Sequence, residues 1–101
     1  MRPADDPQPP TSSQPVMTLL DQLSRRATLR VLWELRSGPL TFREIVVAAE
    51  SNSSVVNTRL HELRSHGIVD HAQGGYRLTD AGKELLELLL PLDRWARRRM
   101  G

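Results

Sequence analysis

Residues 52–69, NSSVVNTRLHELRSHGIV, decide the fold. Val56, Leu60 and Leu63 recur at i, i+4 and i+7, the spacing that puts side chains on one face of an α-helix. Asn52 or Ser53 can cap that helix, because a side-chain oxygen there accepts a bond from a first-turn amide. His66-Gly67 closes it, since glycine adopts the left-handed conformation after a helix without steric cost. The opposite face carries Ser53, Ser54, Asn57, Thr58 and His61. Such short polar groups fit a DNA major groove and can bond to base edges. The stretch therefore reads as a recognition helix.

The totals allow one small domain. The chain has 101 residues and a modest apolar content of 39%. It has no cysteine, which excludes disulfides, thiolate metal sites and cysteine nucleophiles. No apolar run approaches the roughly 20 residues needed to span a bilayer. The start of the chain lacks the cation-then-apolar order of a secretory leader. A soluble, cytoplasmic protein without a membrane partner is expected. Net charge is +2, and 13 of the 14 cations are arginine, which suits bidentate contacts to phosphate and guanine.

Residues 1–15 hold five prolines among Gln, Ser and Asp, and they bury too little to offset ordering entropy. A disordered Pro-rich tail is expected there, with the domain proper at 16–101. Residues 17–23 form a short amphipathic helix that needs a surface to lie on, either this domain or a second subunit. Residues 25–36 form a stronger helix with Leu29, Leu32 and Leu35 as its buried stripe and Val31 at the edge. Ser37-Gly38-Pro39 ends it.

Leu40 is a brief extended piece, and Thr41-Phe42-Arg43-Glu44 is a capping box with Glu44 reaching back to the Thr41 amide. That helix is expected to run to about Ala49, burying Ile45, Ala48 and Ala49. Glu50-Ser51 then turns the chain into the recognition helix. Two short helices joined by a tight turn make a helix-turn-helix. Residues 68–72 and 76–78 read as strands joined by Gln73-Gly74-Gly75, a hairpin in the position of a wing. Thr79 or Asp80 caps a last helix, which Pro91 should bend or divide. Arg94 and Arg97-Arg98-Arg99 suit its C-terminal dipole. The fold class is mainly α with a small β-hairpin: a winged helix-turn-helix, dimerising through its terminal helices.

Several residues resemble the winged helix-turn-helix regulators of the HxlR type, within a wider MarR/ArsR-like group. Residues 26–97 carry the likeness. Thr28-Leu29, Val31-Leu32 and Glu34-Leu35 are similar to the family's first core helix. Gly38-Pro39-Leu40, Phe42 and Glu44-Ile45 resemble its GPLRFxEL segment. Leu60-His61-Glu62-Leu63 and Gly67-Ile68-Val69 resemble the end of its recognition helix. Tyr76-Arg77-Leu78-Thr79-Asp80-Ala81-Gly82 matches YxLTxxG, and Leu92 with Trp95 matches LxxW. Departures accompany these matches. Ala27 stands where the family has tryptophan, and the usual N-terminal cysteine is absent. Ser51-Asn52 replaces Ile-Ser, and Arg77 is the only Lys or Arg of a short wing.

The resemblance and the residue pattern together imply a DNA-binding transcriptional regulator, a repressor in preference to an activator, binding an inverted-repeat operator as a homodimer. The expected DNA contacts are Asn52, Ser53, Ser54, Asn57, Thr58 and His61 to bases or phosphates. Arg43, Arg59, Arg64 and Arg77 are expected at phosphates. Met17, Leu20, Leu23, Leu85, Leu88, Leu92 and Trp95 are expected at the dimer interface. A small-molecule effector near that interface would give control without a second domain. No cofactor is called for. His61 and His66 are five apart, which separates them by about 140° around a helix, so they do not converge on a metal. Nothing resembles a nucleophile elbow or a phosphate loop, so no enzyme is expected. The alternative reading is a winged-helix protein–protein interaction module without sequence-specific DNA binding.

Overall fold

Asn52 begins a helix for the reason its side chain suggests. Its Oδ1 accepts the Val55 amide at 2.9 Å, and the helix runs Ser53–Ser65. In the computed structural model, which describes residues 9–11 and 14–101, this is the fourth of five helices. The order is α1 (Pro15–Leu23), α2 (Arg26–Glu34) with a 3-10 turn Leu35–Ser37, α3 (Phe42–Ala48), α4 (Ser53–Ser65), β1 (Val69–Ala72), β2 (Gly75–Leu78) and α5 (Asp80–Met100). Most of the expected tail at 1–15 lies outside the described residues. Pro15 belongs to α1 as its first residue, where a missing N–H costs nothing.

The core gathers Val31, Leu32 and Leu35 with Ile45, Val56, Leu60, Leu63, Ile68, Val69 and Leu78, and Leu23 closes one side. The stripe of α2 differs from the expected one. Val31 is fully buried and Leu29 is 43% exposed. Leu29, Leu32 and Leu35 are spaced by threes, and each such step drifts about 60° from a true helical face. The face that does align is 28, 31, 32 and 35. It includes Thr28, fully buried with a hydroxyl that has no hydrogen-bond partner among the described residues. Thr28→Val is therefore expected to stabilise the fold by about 1 kcal/mol. A thermal melt that stays level or falls would show that the hydroxyl is satisfied.

Helices α3 and α4 end in the same way with different residues. After α4, Gly67 has φ 70°, its amide bonds the Arg64 carbonyl, and the Ile68 amide bonds that of Leu63. This pairing is a Schellman closure. After α3, the Glu50 amide bonds Val47 and the Ser51 amide bonds Val46, with Glu50 at φ 52°. Glutamate thus stands where glycine is the unstrained choice. The helix stops at Ala48, one residue short of the expectation, and Ala48 and Ala49 are half-buried. Glu50→Gly is expected to raise stability by about 0.5–1 kcal/mol, read as a higher denaturant midpoint. A lower midpoint would mean that the Glu50 side chain supports the turn.

The expected capping box is present at α3. Thr41 Oγ1 accepts the Glu44 amide at 3.2 Å, and Glu44 Oε1 accepts the Thr41 amide at 2.9 Å. Those Thr41 bonds hold the Glu44 carboxyl below its ordinary pKa. Its contribution to the cap is present above the ordinary carboxylate range and is lost as pH falls through the lowered value.

The hairpin pairs Val69 with Leu78, Asp70 with Arg77, His71 with Tyr76 and Ala72 with Gly75. Gly75 is thus a strand residue, and the turn itself is Gln73-Gly74. Leu40 adds a third edge, exchanging both backbone bonds with Tyr76 at 3.0 and 2.8 Å. A Cβ on Gly75 would overlap the Leu40 carbonyl. Thr79 caps α5, its Oγ1 accepting the Gly82 amide at 3.1 Å while donating to the Gly67 and Ile68 carbonyls. Pro91 does not divide α5, which continues for 21 residues. Pro91 and Glu87 are both exposed, so the Glu87 carbonyl that loses its helical bond can take one from water.

Candidate nucleic-acid interface

Helix α4 is held rigidly by the side it buries. Val56, Leu60 and Leu63 are at most 2% exposed. The N-cap and the Schellman closure fix its two ends. At 100° per residue, the face opposite that stripe centres on Ser54, Thr58, His61 and Ser65, with Asn57, Ser53 and Arg64 along one flank. All seven are exposed. The structure therefore brings the expected polar residues of α4 onto one surface.

Their bonding capacity is unequal. Asn52 spends its Oδ1 on the cap and keeps its NH₂ free to donate. The Thr58 hydroxyl donates to the Ser54 carbonyl at 3.1 Å, leaving its lone pairs to accept. Asn57 is exposed with both a donor and an acceptor available, the combination that pairs bidentately with adenine. Ser65 and Val55 lie on the same exposed surface and were not among the expected contacts. Ser65 follows Thr58 by seven residues, a spacing that marks it as facing the same way.

The four expected arginines separate into two pairs. Arg43 in the first turn of α3 and Arg64 near the end of α4 are exposed, with no ion-pair partner among the described residues. Arg59 is turned inward. Its Nη2 lies 2.8 Å from Glu62 Oε1, its side chain is 13% exposed, and its buried Nε has no partner among the described residues. Arg77 is tied across the hairpin to Asp70 at 2.9 Å. Beside it the His71 and Tyr76 rings stack at 4.2 Å. The one cation of the wing is thus held within the hairpin. Among the described residues, no group of three or more His, Cys, Asp or Glu could hold a metal.

The residues expected at a dimer interface also divide. Leu23 is in the core of its own domain, and Met17 and Leu85 are half-buried. Leu20 is exposed on α1, and Leu88, Leu92 and Trp95 are 67%, 57% and 47% exposed on α5. A groove of about 530 Å³ runs between α2 and α5, lined by Leu29, Leu32, Trp33, Leu86 and Leu89 with Arg26 at its rim.

A family model for the HxlR-like helix-turn-helix matches residues 22–101, most of the chain. The chain belongs to the HxlR-like helix-turn-helix family. Its relatives include YvaP of Bacillus subtilis, an HTH-type transcriptional regulator 33% identical over 76% of this chain and 79% of YvaP. Quinone-bound YodB of B. subtilis superposes with a TM-score of 0.76 at 25% identity, covering 82% of this chain and 96% of YodB. The transcriptional repressor BigR of Xylella fastidiosa superposes with a TM-score of 0.66 at 26% identity, covering 85% of this chain and 89% of BigR. This HxlR-like protein is a DNA-binding transcriptional regulator with a winged helix-turn-helix fold. No helix among its described residues is long and apolar enough to cross a membrane.

Proposed function

We propose that this HxlR-like regulator is a cytoplasmic homodimeric repressor that reads an inverted repeat, each protomer laying α4 in one major groove. The observation that carries the proposal is the polar face of α4 set opposite a fully buried stripe. Thr58 at its centre and Asn57 on its flank read bases, with Ser54 and His61 beside them. Ser53, the free Asn52 amide, Arg43 and Arg64 hold phosphates and set the pose. Arg59 lies along α4 against Glu62, largely out of solvent, and is not counted among the DNA contacts. The wing contributes little, because Arg77 is held by Asp70. Repression requires only that the dimer occupy a promoter, and BigR, a relative by fold, is a repressor.

Control would act by changing the spacing between the two recognition helices. The groove between α2 and α5 is of the size that holds a small molecule, and it borders the exposed residues of α5. YodB has been captured with a quinone bound, and this chain has no cysteine thiol to form an adduct with a comparable ligand. Trp33 lines this groove, with the Arg36 guanidinium 3.9 Å from its ring centroid. An effector seated there is expected to quench Trp33 fluorescence in a Trp95→Phe background and to weaken operator binding. A ligand that releases DNA without changing Trp33 emission would place control elsewhere.

The tied wing also favours a second reading, a winged helix that binds protein instead of DNA. Electrophoretic shift of duplex DNA selected by the wild type separates the two. Failure to enrich any sequence, with no duplex bound, would support the second.

A further inference from the structure

Helix α4 carries four large apolar side chains, and three of them serve the core. Val56, Leu60 and Leu63 are buried, while Val55 is 38% exposed beside the polar surface. A single exposed valine is ordinary in itself. Its position sets this one apart. It stands in the first turn, the part of a recognition helix whose side chains meet base edges. Its own amide donates to Asn52 Oδ1 at 2.9 Å, so the cap that starts the helix also fixes its backbone. In a helix the branched β-carbon holds valine largely to one rotamer, and a contact made by Val55 therefore orders little.

The neighbours of Val55 along the helix leave it uncovered. Asn52, Ser54 and Thr58 are short. Arg59, at i+4, is long, but it is drawn onto Glu62 Oε1 at 2.8 Å and lies largely out of solvent. Thr58, at i+3, is about 60° from Val55 around the helix, so the two are adjacent on the surface. The Thr58 hydroxyl gives its proton to the Ser54 carbonyl at 3.1 Å. What remains of that side chain for a ligand is an oxygen lone pair and the γ-methyl. Val55 and Thr58 thus put an apolar edge on an otherwise polar surface, on the flank away from Ser53, Asn57 and Arg64.

In the major groove of B-DNA the one apolar group among the four bases is the C5-methyl of thymine. We propose that Val55, together with the γ-methyl of Thr58, packs against a thymine methyl in each half-site and so selects a T·A pair there. Cytosine in the same place offers hydrogen where the methyl would sit, and the purines offer only polar atoms. The inference rests on the reading that α4 lies in the major groove, and adds to it a base and the residue that reads it.

The probe is the duplex selected by the full-length wild-type chain, with its thymines replaced by deoxyuridine one symmetric pair at a time. Each replacement removes a methyl and keeps the base pairing. At one position the wild type is expected to lose about 10–15-fold in affinity, about fourfold for each of the two methyls removed. Val55→Ala is expected to narrow that ratio to within about threefold while its melting temperature stays close to wild type. Val55→Thr keeps the branched shape and exchanges one methyl for a hydroxyl, and should narrow the ratio as well, even if the alanine variant melts early. Val47, 73% exposed on the helix that crosses the backbone, is the control, and Val47→Ala should keep the wild-type ratio. A selected half-site without thymine, or equal binding with every thymine replaced, overturns the proposal and leaves α4 in the groove. A wild-type ratio kept by both Val55 variants gives the methyl to another residue and also overturns it. Selection of no duplex at all overturns the reading of α4 together with the proposal.

Discussion

Replacing Asn57 and Thr58 together by alanine is expected to lower affinity for the selected operator about 100-fold at fixed salt. Each well-made base contact is worth roughly 1–3 kcal/mol of discrimination, so two of them account for that factor. Both side chains are exposed, and among the described residues their only side-chain hydrogen bond runs from Thr58 to the Ser54 carbonyl. The melting temperature should therefore stay close to wild type. Binding to unrelated duplex should change little, since that term comes from the phosphate contacts. Arg77→Ala is the companion measurement. With its guanidinium already held by Asp70, it should cost less than about threefold. If Arg77→Ala cost more than the double alanine variant, the wing would be the principal reader and the assignment to α4 would fail.

Gly82→Ala is expected to cost about 3 kcal/mol of stability, although alanine in a helix interior ordinarily gains about 1 kcal/mol over glycine. The reversal comes from one contact. A Cβ at Gly82 would overlap the carbonyl oxygen of Ile68 and come within 3.2 Å of the Leu78 side chain. The Ile68 carbonyl is backbone and cannot rotate away. It also accepts bonds from the Thr79 amide at 3.0 Å and the Thr79 hydroxyl at 3.1 Å. Here the last turn of α4, the start of β1 and the first turn of α5 meet, so a displacement carries directly to the recognition helix. A fall of about 15 °C in Tm is the expected readout for a domain of this size. An unchanged or higher Tm would mean that α5 can slide away from Ile68 at no cost.

Local rules made much of this fold legible in advance. The Thr41 and Asn52 caps and the Gly67 stop each depend on a few consecutive residues, and the structure places all three as expected. The buried stripe of α4 was legible because Val56, Leu60 and Leu63 follow true helical spacing. The stripe of α2 was legible in part: Leu32 and Leu35 are buried as expected, while Thr28 and Val31 take the place of Leu29, because leucines at every third residue drift off a true face. Pro91 was expected to bend or divide the last helix, and α5 is not divided: it passes through Pro91 on an exposed face where solvent can take the released carbonyl.

The candidate site divides along the same line. Which residues of α4 face outward follows from periodicity, so Ser53, Ser54, Asn57, Thr58 and His61 are all on the surface. What a long side chain does there is less legible, because several partners lie within its reach. Arg59 takes Glu62, its i+3 neighbour on α4, and Arg77 takes Asp70 across the hairpin. Leu23 shows the same limit for the interface, since an apolar residue on a short helix serves its own core or a partner equally well by pattern.

Selection from a random duplex library at about 0.15 M salt tests the central claim most directly. The account predicts enrichment of an inverted repeat with half-sites about one helical turn apart, roughly 34–36 Å, one for each α4 of a homodimer. Enrichment of nothing, with binding that fades uniformly as salt rises, would contradict it and leave a protein that holds DNA by charge alone.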